Sequence, residues 1–173
     1  MQYIDITNSP NRFDPKLAKR LGFSRFVNAN DQITIADRAG PSSQPLLIQT
    51  TNPNLIFAMI KSPKAIGILS NGEDVEQRVL NKLKESGKLV VFNAYYLTVG
   101  QRDRVSKIHR FKKLFRMAGK SKTKMGIVSL APSPDYLLSS AQLLEIAKLI
   151  AADDHQAKLM LSNIGETLHD IQA

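Results

Sequence analysis

Between residues 101 and 124 the sequence reads QRDRVSKIHRFKKLFRMAGKSKTK. Ten side chains in this window are cations: Arg102, Arg104, Lys107, Arg110, Lys112, Lys113, Arg116, Lys120, Lys122 and Lys124. One, Asp103, is acidic. The chemistry open to such a set is electrostatic. Arg grips phosphate through two parallel hydrogen bonds, and Lys supplies point charges. The net charge of +9 lies wholly in this segment, because the remainder balances 14 basic against 14 acidic residues. A pI near 9.9 favours a polyanionic partner, of which nucleic acid is the commonest. A merely soluble basic protein would spread its charge evenly, so the concentration favours the binding reading.

Other chemistry is harder to assemble. His109, His155 and His169 form neither H-x-H nor H-x-x-x-H, which argues against a zinc site. There is no cysteine, so disulfides, thiolate metal sites and cysteine nucleophiles are excluded. Neither a G-x-x-x-x-G-K-[ST] nor a G-x-G-x-x-G run occurs. Asp5 lies on the first apolar run. It could ligate a metal in a barrel, but a lone Asp more often caps or pairs. Asp153–Asp154–His155 looks like a fragment of acid/base chemistry, yet its place between two helices reads Asp154 as an N-cap. Ser129, Ser133, Ser139 and Ser140 follow a strand end, where α/β sites sit and where turn serines are also ordinary. Tyr95 and Tyr96 could stack on a base, with core or rim packing the favoured role. No residues are assigned as catalytic or metal-ligating, and no protein-bound cofactor is expected.

The elements that must carry these residues follow from pattern. Apolar β-type runs are YIDI (3–6), RFVNA (25–29), PLLIQT (45–50), AIGIL (65–69), KLVVFNA (88–94) and MGIVSLA (125–131), with ITIA a brief further candidate inside a turn-rich loop. Helical patterns lie between them. Asp14–Pro15 opens KLAKRL, which stops at Gly22, and Asn52–Pro53 caps NLIFAMI. Asn71–Gly72 marks a turn. A helix is predicted over about 73–86, with Val75, Val79, Leu80 and Leu83 on one face and Gly87 at its end. Leu143, Leu144, Ala147, Ile150 and Ala151 form another apolar face, and 155–171 reads as helix broken near 163–165. Continuous apolar strands imply a sheet buried on both faces, hence α/β with mostly parallel strands. An open doubly wound sheet and a barrel both fit. At 173 residues, expected to form one domain, a barrel would be trimmed or incomplete. No apolar run is long enough to span a membrane, and the first residues lack the pattern of a signal peptide, so a cytoplasmic protein is expected.

Over Arg104–Ala118, Ile108, Phe111, Phe115 and Ala118 recur every three or four positions with Leu114 at the edge. Arg110, Lys113 and Arg116 take the opposite side and Lys112 the flank, while Val105 and Lys107 fit poorly. Gly119 is expected to end the helix, leaving KSKTK as a basic loop. His109 is read as a half-buried surface residue. An ordinary surface helix pairs opposite charges four residues apart. This one has almost no acid to pair with, so an external phosphate is the simplest counter-charge, and binding should depend strongly on salt.

Two segments, with the order of elements, resemble protein component 3 of archaeal ribonuclease P, a family shared with a eukaryotic subunit. One is VFNAYYL followed by R-x-R-x-x-x-x-x-R-x-K-K-x-F (Arg102 to Phe115) and MGIVSLAPSPDYL. The other is LLEIAKLIAADDHQAKLMLSNIGETL, where Ala157, Leu161, Ser162 and Leu168 match the family's closing pattern and Gly165 stands where proline is common. YIDI, LAKRLGF and ITIADRAG are similar to the family's opening elements. The chain departs in being short, trimmed between residues 30 and 45, and in reading SLAPS where two serines and a glycine are usual. The resemblance implies a TIM-barrel-like fold without phosphoesterase metal ligands. It implies a non-catalytic subunit of the endonuclease, a hydrolase, that removes the 5′ leader of precursor tRNA. The RNA subunit would cleave with magnesium. The ten cations would contact RNA, and ribonuclease P protein component 2 would be the protein partner. Alternatives are an RNA-binding α/β module of another complex, or a small metal-dependent barrel phosphoesterase using Asp5 and the strand rims.

Overall fold

The continuous apolar runs become seven short strands, and every ladder among the described residues is parallel. The computed structural model describes residues 3–10, 13–29, 31–38, 40 and 43–172. In chain order the strands are β1 (Ile4–Thr7), β2 (Arg25–Asn28), β3 (Thr34–Ala36), β4 (Leu46–Ile48), β5 (Ala65–Ser70), β6 (Leu89–Asn93) and β7 (Met125–Val128). The helices are α1 (Pro15–Arg20), α2 (Pro53–Met59), α3 (Gln77–Glu85), α4 (Ala94–Thr98), α5 (Arg104–Ser121), α6 (Ser140–Ala151) and α7 (Asp154–Gln172).

Strands β3 to β7 form one sheet in sequence order, and β1–β2 a second. The two meet through backbone bonds from Leu130 N–H to the Ile6 carbonyl (2.9 Å) and from Asn8 N–H to the Ala131 carbonyl (3.0 Å). No ladder joins β2 to β3 among the described residues, so the seven strands curl as a TIM-barrel-like array that does not close. The stretch between residues 30 and 45, which carries β3, adjoins this seam.

Strand alternation splits the core in two. Ile4, Ile6, Val27, Leu47, Ile66, Leu89, Val91 and Val128 line the concave side, where α7 inserts Ile164 and Leu168. Leu46, Ile48, Ile68, Val90, Phe92 and Ile127 face outward against α2, α3, α5 and α6. At the seat of α7 a Cβ on Gly126 would lie 2.5 Å from Ile164 Cδ1, so the bare backbone there admits the helix.

Several expected boundaries move. The third helix begins at Gln77 rather than 73, because Glu73 folds back to accept from the Asn71 N–H (2.7 Å) and the Ser70 hydroxyl (3.2 Å). Val75 therefore precedes the helix. The break expected near 163–165 is absent: Gly165 is buried inside an unbroken α7, whose packing on β7 outweighs glycine's poor propensity. Asp153, not Asp154, caps α7, its carboxylate accepting from the Gln156 N–H at 2.6 Å. Short α4, unanticipated, is nucleated by Asn93, whose side chain accepts from the Tyr96 N–H.

Candidate nucleic-acid interface

Helix α5 is held by Phe111, Leu114, Ala118 and Ser121, all buried and spaced three, four and three apart. Phe111 meets Phe92 of β6 edge to face, with ring centroids 5.3 Å apart. The buried stripe is turned by about one residue from the expected one: Leu114 is in the core and Phe115 is half-buried at its margin. The helix also runs past Gly119. Ser121 accepts from the Gln77 amide at 2.5 Å, and the Thr123 hydroxyl donates to the Leu80 carbonyl at 2.9 Å, so α3 draws out a further half-turn. Closure falls instead at Lys122, in the left-handed region (φ 56°), with Thr123 N–H returning to the Ala118 carbonyl.

At about 100° per residue, Lys112, Lys113, Arg116 and Lys120 project opposite the buried stripe, together with His109. His109 is exposed rather than half-buried. Lys112 is half-buried; Lys113, Arg116 and Lys120 are exposed. Arg110 lies on the flank beside Gly72, exposed. Arg102 and Arg104 stand exposed at the N-terminal end, and Lys122 and Lys124 at the other. An 18-residue helix is roughly 27 Å long, so these groups form a ridge across one side of the molecule.

Three of the ten are engaged internally, Arg116 only within its own helix, where its Nε donates to the Lys112 carbonyl at 3.3 Å. Lys107 turns back, donating to the Val99 carbonyl at 2.7 Å and lying 4.3 Å from the centroid of the Tyr96 ring. Lys113 pairs with Asp74 at 2.6 Å. That hydrogen bond and charge hold the Asp74 carboxyl below the usual carboxylate range. The pair is exposed on both sides (57% and 85%), so water screens it and either partner is open to exchange. Among the described residues no other cation of the segment has a carboxylate within salt-bridge reach.

The remaining sequence candidates separate. Asp5 is fully buried on the β1 face opposite Ile4 and Ile6, hence turned from the concave side. It accepts from the Ser129 N–H at 2.7 Å and from the Ser129 hydroxyl. Burial pushes its pKa up to about 6 against the lowering effect of those bonds. Ser139 caps α6 in a reciprocal box with Gln142, and Ser140 abuts Gly22. Tyr96 packs on Phe111, while Tyr95 meets the half-exposed Tyr136 edge to face at 5.2 Å. Among the described residues no three His, Asp or Glu side chains come together as a metal site.

A polar rim at the C-terminal strand ends escaped the sequence reading. Asn93 donates to Asn71 Oδ1 at 2.7 Å, and Asn28 to the Ser9 carbonyl at 2.9 Å. The available signal was repeated Asn at strand exits, in RFVN, LSN and VFN. A cavity of about 310 Å³ opens beside this rim, between Thr50 and Asp74. A second, of about 480 Å³, lies at the other end of the strands, between the last turn of α5 and α7.

Comparison with solved structures shows the fold. A chain in the cryo-EM structure of archaeal ribonuclease P with mature tRNA is similar, with a TM-score of 0.69 at 9% identity over 98% of this chain and 81% of that one. A prolidase complexed with N-methylphosphonate-L-proline is similar at TM-score 0.58 and 11% identity, over 98% of this chain and 56% of that one. A crystallised protein described as uncharacterized gives TM-score 0.54 at 12% identity, over 75% of this chain and 34% of that one. The chain thus spans most of the first, about half of the prolidase and about a third of the last. No family model and no curated protein matches the sequence.

Proposed function

We propose that this chain is a non-catalytic, RNA-binding subunit of a ribonuclease P-type ribonucleoprotein, the enzyme that removes the 5′ leader of precursor tRNA. The observation that carries the reading is the single-signed α5 ridge: helix-long, pinned by an apolar stripe, with one of its cations matched by a carboxylate. Likeness over nearly the whole chain to a component of archaeal ribonuclease P supplies the setting. Phosphates of the catalytic RNA would seat on the ridge, precursor tRNA being reached through that RNA. Component 2 would be the protein partner, and magnesium would belong to the RNA.

Reconstitution tests this. The chain is added, with and without component 2, to the ribonuclease P RNA of its own source. Leader removal is then followed against magnesium concentration. The expected result is cleavage at lower magnesium with the protein present, and none by the protein alone. Metal-dependent cleavage by the isolated chain would replace this reading with the phosphoesterase one. No effect on the RNA would leave the ridge to another RNA complex.

A further inference from the structure

We propose that the groove between the C-terminal turn of α5 and α7 is a nucleobase pocket, which takes one unstacked base while Lys122 and Lys124 hold the adjoining phosphates. The inference rests on the RNA-binding reading and adds a site of different chemistry to the ridge.

The groove, about 480 Å³, falls within the size range of small-ligand sites. Its wall is mainly apolar: half-buried Phe115 from α5 with Met125, Leu159 and Met160. A flat aromatic or apolar wall suits any base, because every base has a π-face. Asn163 supplies a polar edge. Its amide nitrogen is committed to the Met125 carbonyl at 2.7 Å, which fixes the group and leaves Oδ1 as an acceptor for an exocyclic amine.

The mouth is cationic. No carboxylate lines the groove, and Lys122 and Lys124 flank it. The negative end of the α5 dipole also lies here, equivalent to about half a charge. Three whole charges, on Lys120, Lys122 and Lys124, outweigh it. Lys122 occupies a left-handed position (φ 56°) that glycine would fill without steric cost, so its side chain, not its backbone, accounts for a lysine there. Phe115 and Gly119 border the side of α5 that carries Lys112 and Arg116. A strand lying on the ridge therefore passes the lip of the groove. Charge complementarity and continuity with the ridge favour a nucleotide over an apolar peptide.

Gly119 gives a clean test. It lines the groove, is exposed, and a Cβ built there meets nothing within 4 Å, so Gly119→Phe fills the pocket while sparing the core. The probes are a 12-nucleotide oligoadenylate and a backbone of equal length lacking its bases, compared by fluorescence anisotropy at one salt concentration. The wild type should prefer the base-bearing strand by about tenfold. Gly119→Phe should lose that preference yet bind the abasic strand as the wild type does, and Gly119→Ala should keep it. Lys122→Gly, which suits the local backbone, should fold normally and weaken binding of both strands. Equal wild-type affinity for the two strands would overturn the pocket while leaving the ridge intact. So would a preference retained by Gly119→Phe, and loss of component 2 binding in that variant would then assign the groove to protein. Binding of neither strand at low salt would overturn the RNA reading itself.

Discussion

Asp5→Asn separates a scaffold from an enzyme. Asp5 is the one buried charged side chain among the described residues, and burial raises its pKa from an ordinary 3.8 to about 6. In the unfolded chain it ionises near its ordinary value. Between pH 4 and 6 the folded protein therefore holds a proton that the unfolded chain has lost. Stability falls as pH rises through that window and levels off above it. The full difference corresponds to about 3 kcal/mol, an upper figure for a group whose hydrogen bonds already offset part of its burial. Asn has the same shape without the charge. Its Oδ1 keeps the bond from the Ser129 N–H, and the Ser129 hydroxyl can turn to accept from the new amide. Urea denaturation should find Asp5→Asn more stable than wild type by about 1–3 kcal/mol at pH 8, with the gain vanishing by about pH 4. A variant that is less stable at pH 8 would refute the reasoning. It would mean that something in the native protein compensates an ionised Asp5, and a cation there would revive the metal-dependent alternative.

Two further outcomes follow from the geometry. Replacing Arg110, Lys113 and Arg116 together by Ala should lower RNA affinity and flatten the dependence of log K on log salt by roughly 1.5–2, since each phosphate contact on a single strand contributes about 0.7 and Lys113 already shares its charge with Asp74; an unchanged slope in a salt titration would remove the ridge from the interface. Gly67→Ala should cost about 3 kcal/mol or more in a denaturant titration, because the added Cβ would sit 2.0 Å from the Leu89 carbonyl oxygen on the neighbouring strand; near-neutral stability would contradict the strand spacing.

What was legible in the sequence followed a simple rule. Strands buried on both faces leave runs such as AIGIL and LVVF with nothing polar to confuse them, and their parallel sense followed, while their order in the sheet did not. Caps built from one or two residues were equally clear: Asp14 with Pro15, and Asn52 with Pro53, each cap through a side-chain oxygen as read. Failures came where a distant partner overruled a local signal. Gly119 should stop a helix by propensity, but contacts from Gln77 and Leu80 carry α5 to Ser121. Gly165 should break one, but α7 is clamped along β7. The rim of paired amides was invisible because each bond joins residues about twenty positions apart. Lys107 showed its charge but not that Val99 and Tyr96 absorb it.

The ridge and the rim lie on different parts of the fold, and the contrast bears on function. In α/β proteins the C-terminal ends of the strands carry the reactive groups. Here that rim is spent largely on Asn and Ser side chains that bond one another and the backbone, with Glu73 tied to the Ser70–Asn71 turn. The charge is placed on the outer surface of α5 instead, on a helix whose one buried stripe includes two aromatic-ring contacts to its neighbours. A rigid helix with exposed cations recognises the spacing of phosphates rather than the reactivity of one bond. Such a surface gains from every phosphate it covers and needs no convergent acid or base. On the proposed RNA-binding reading, the demand on this fold is to hold roughly 27 Å of positive charge straight, and the anchors of α5 on β6 and α3 meet it.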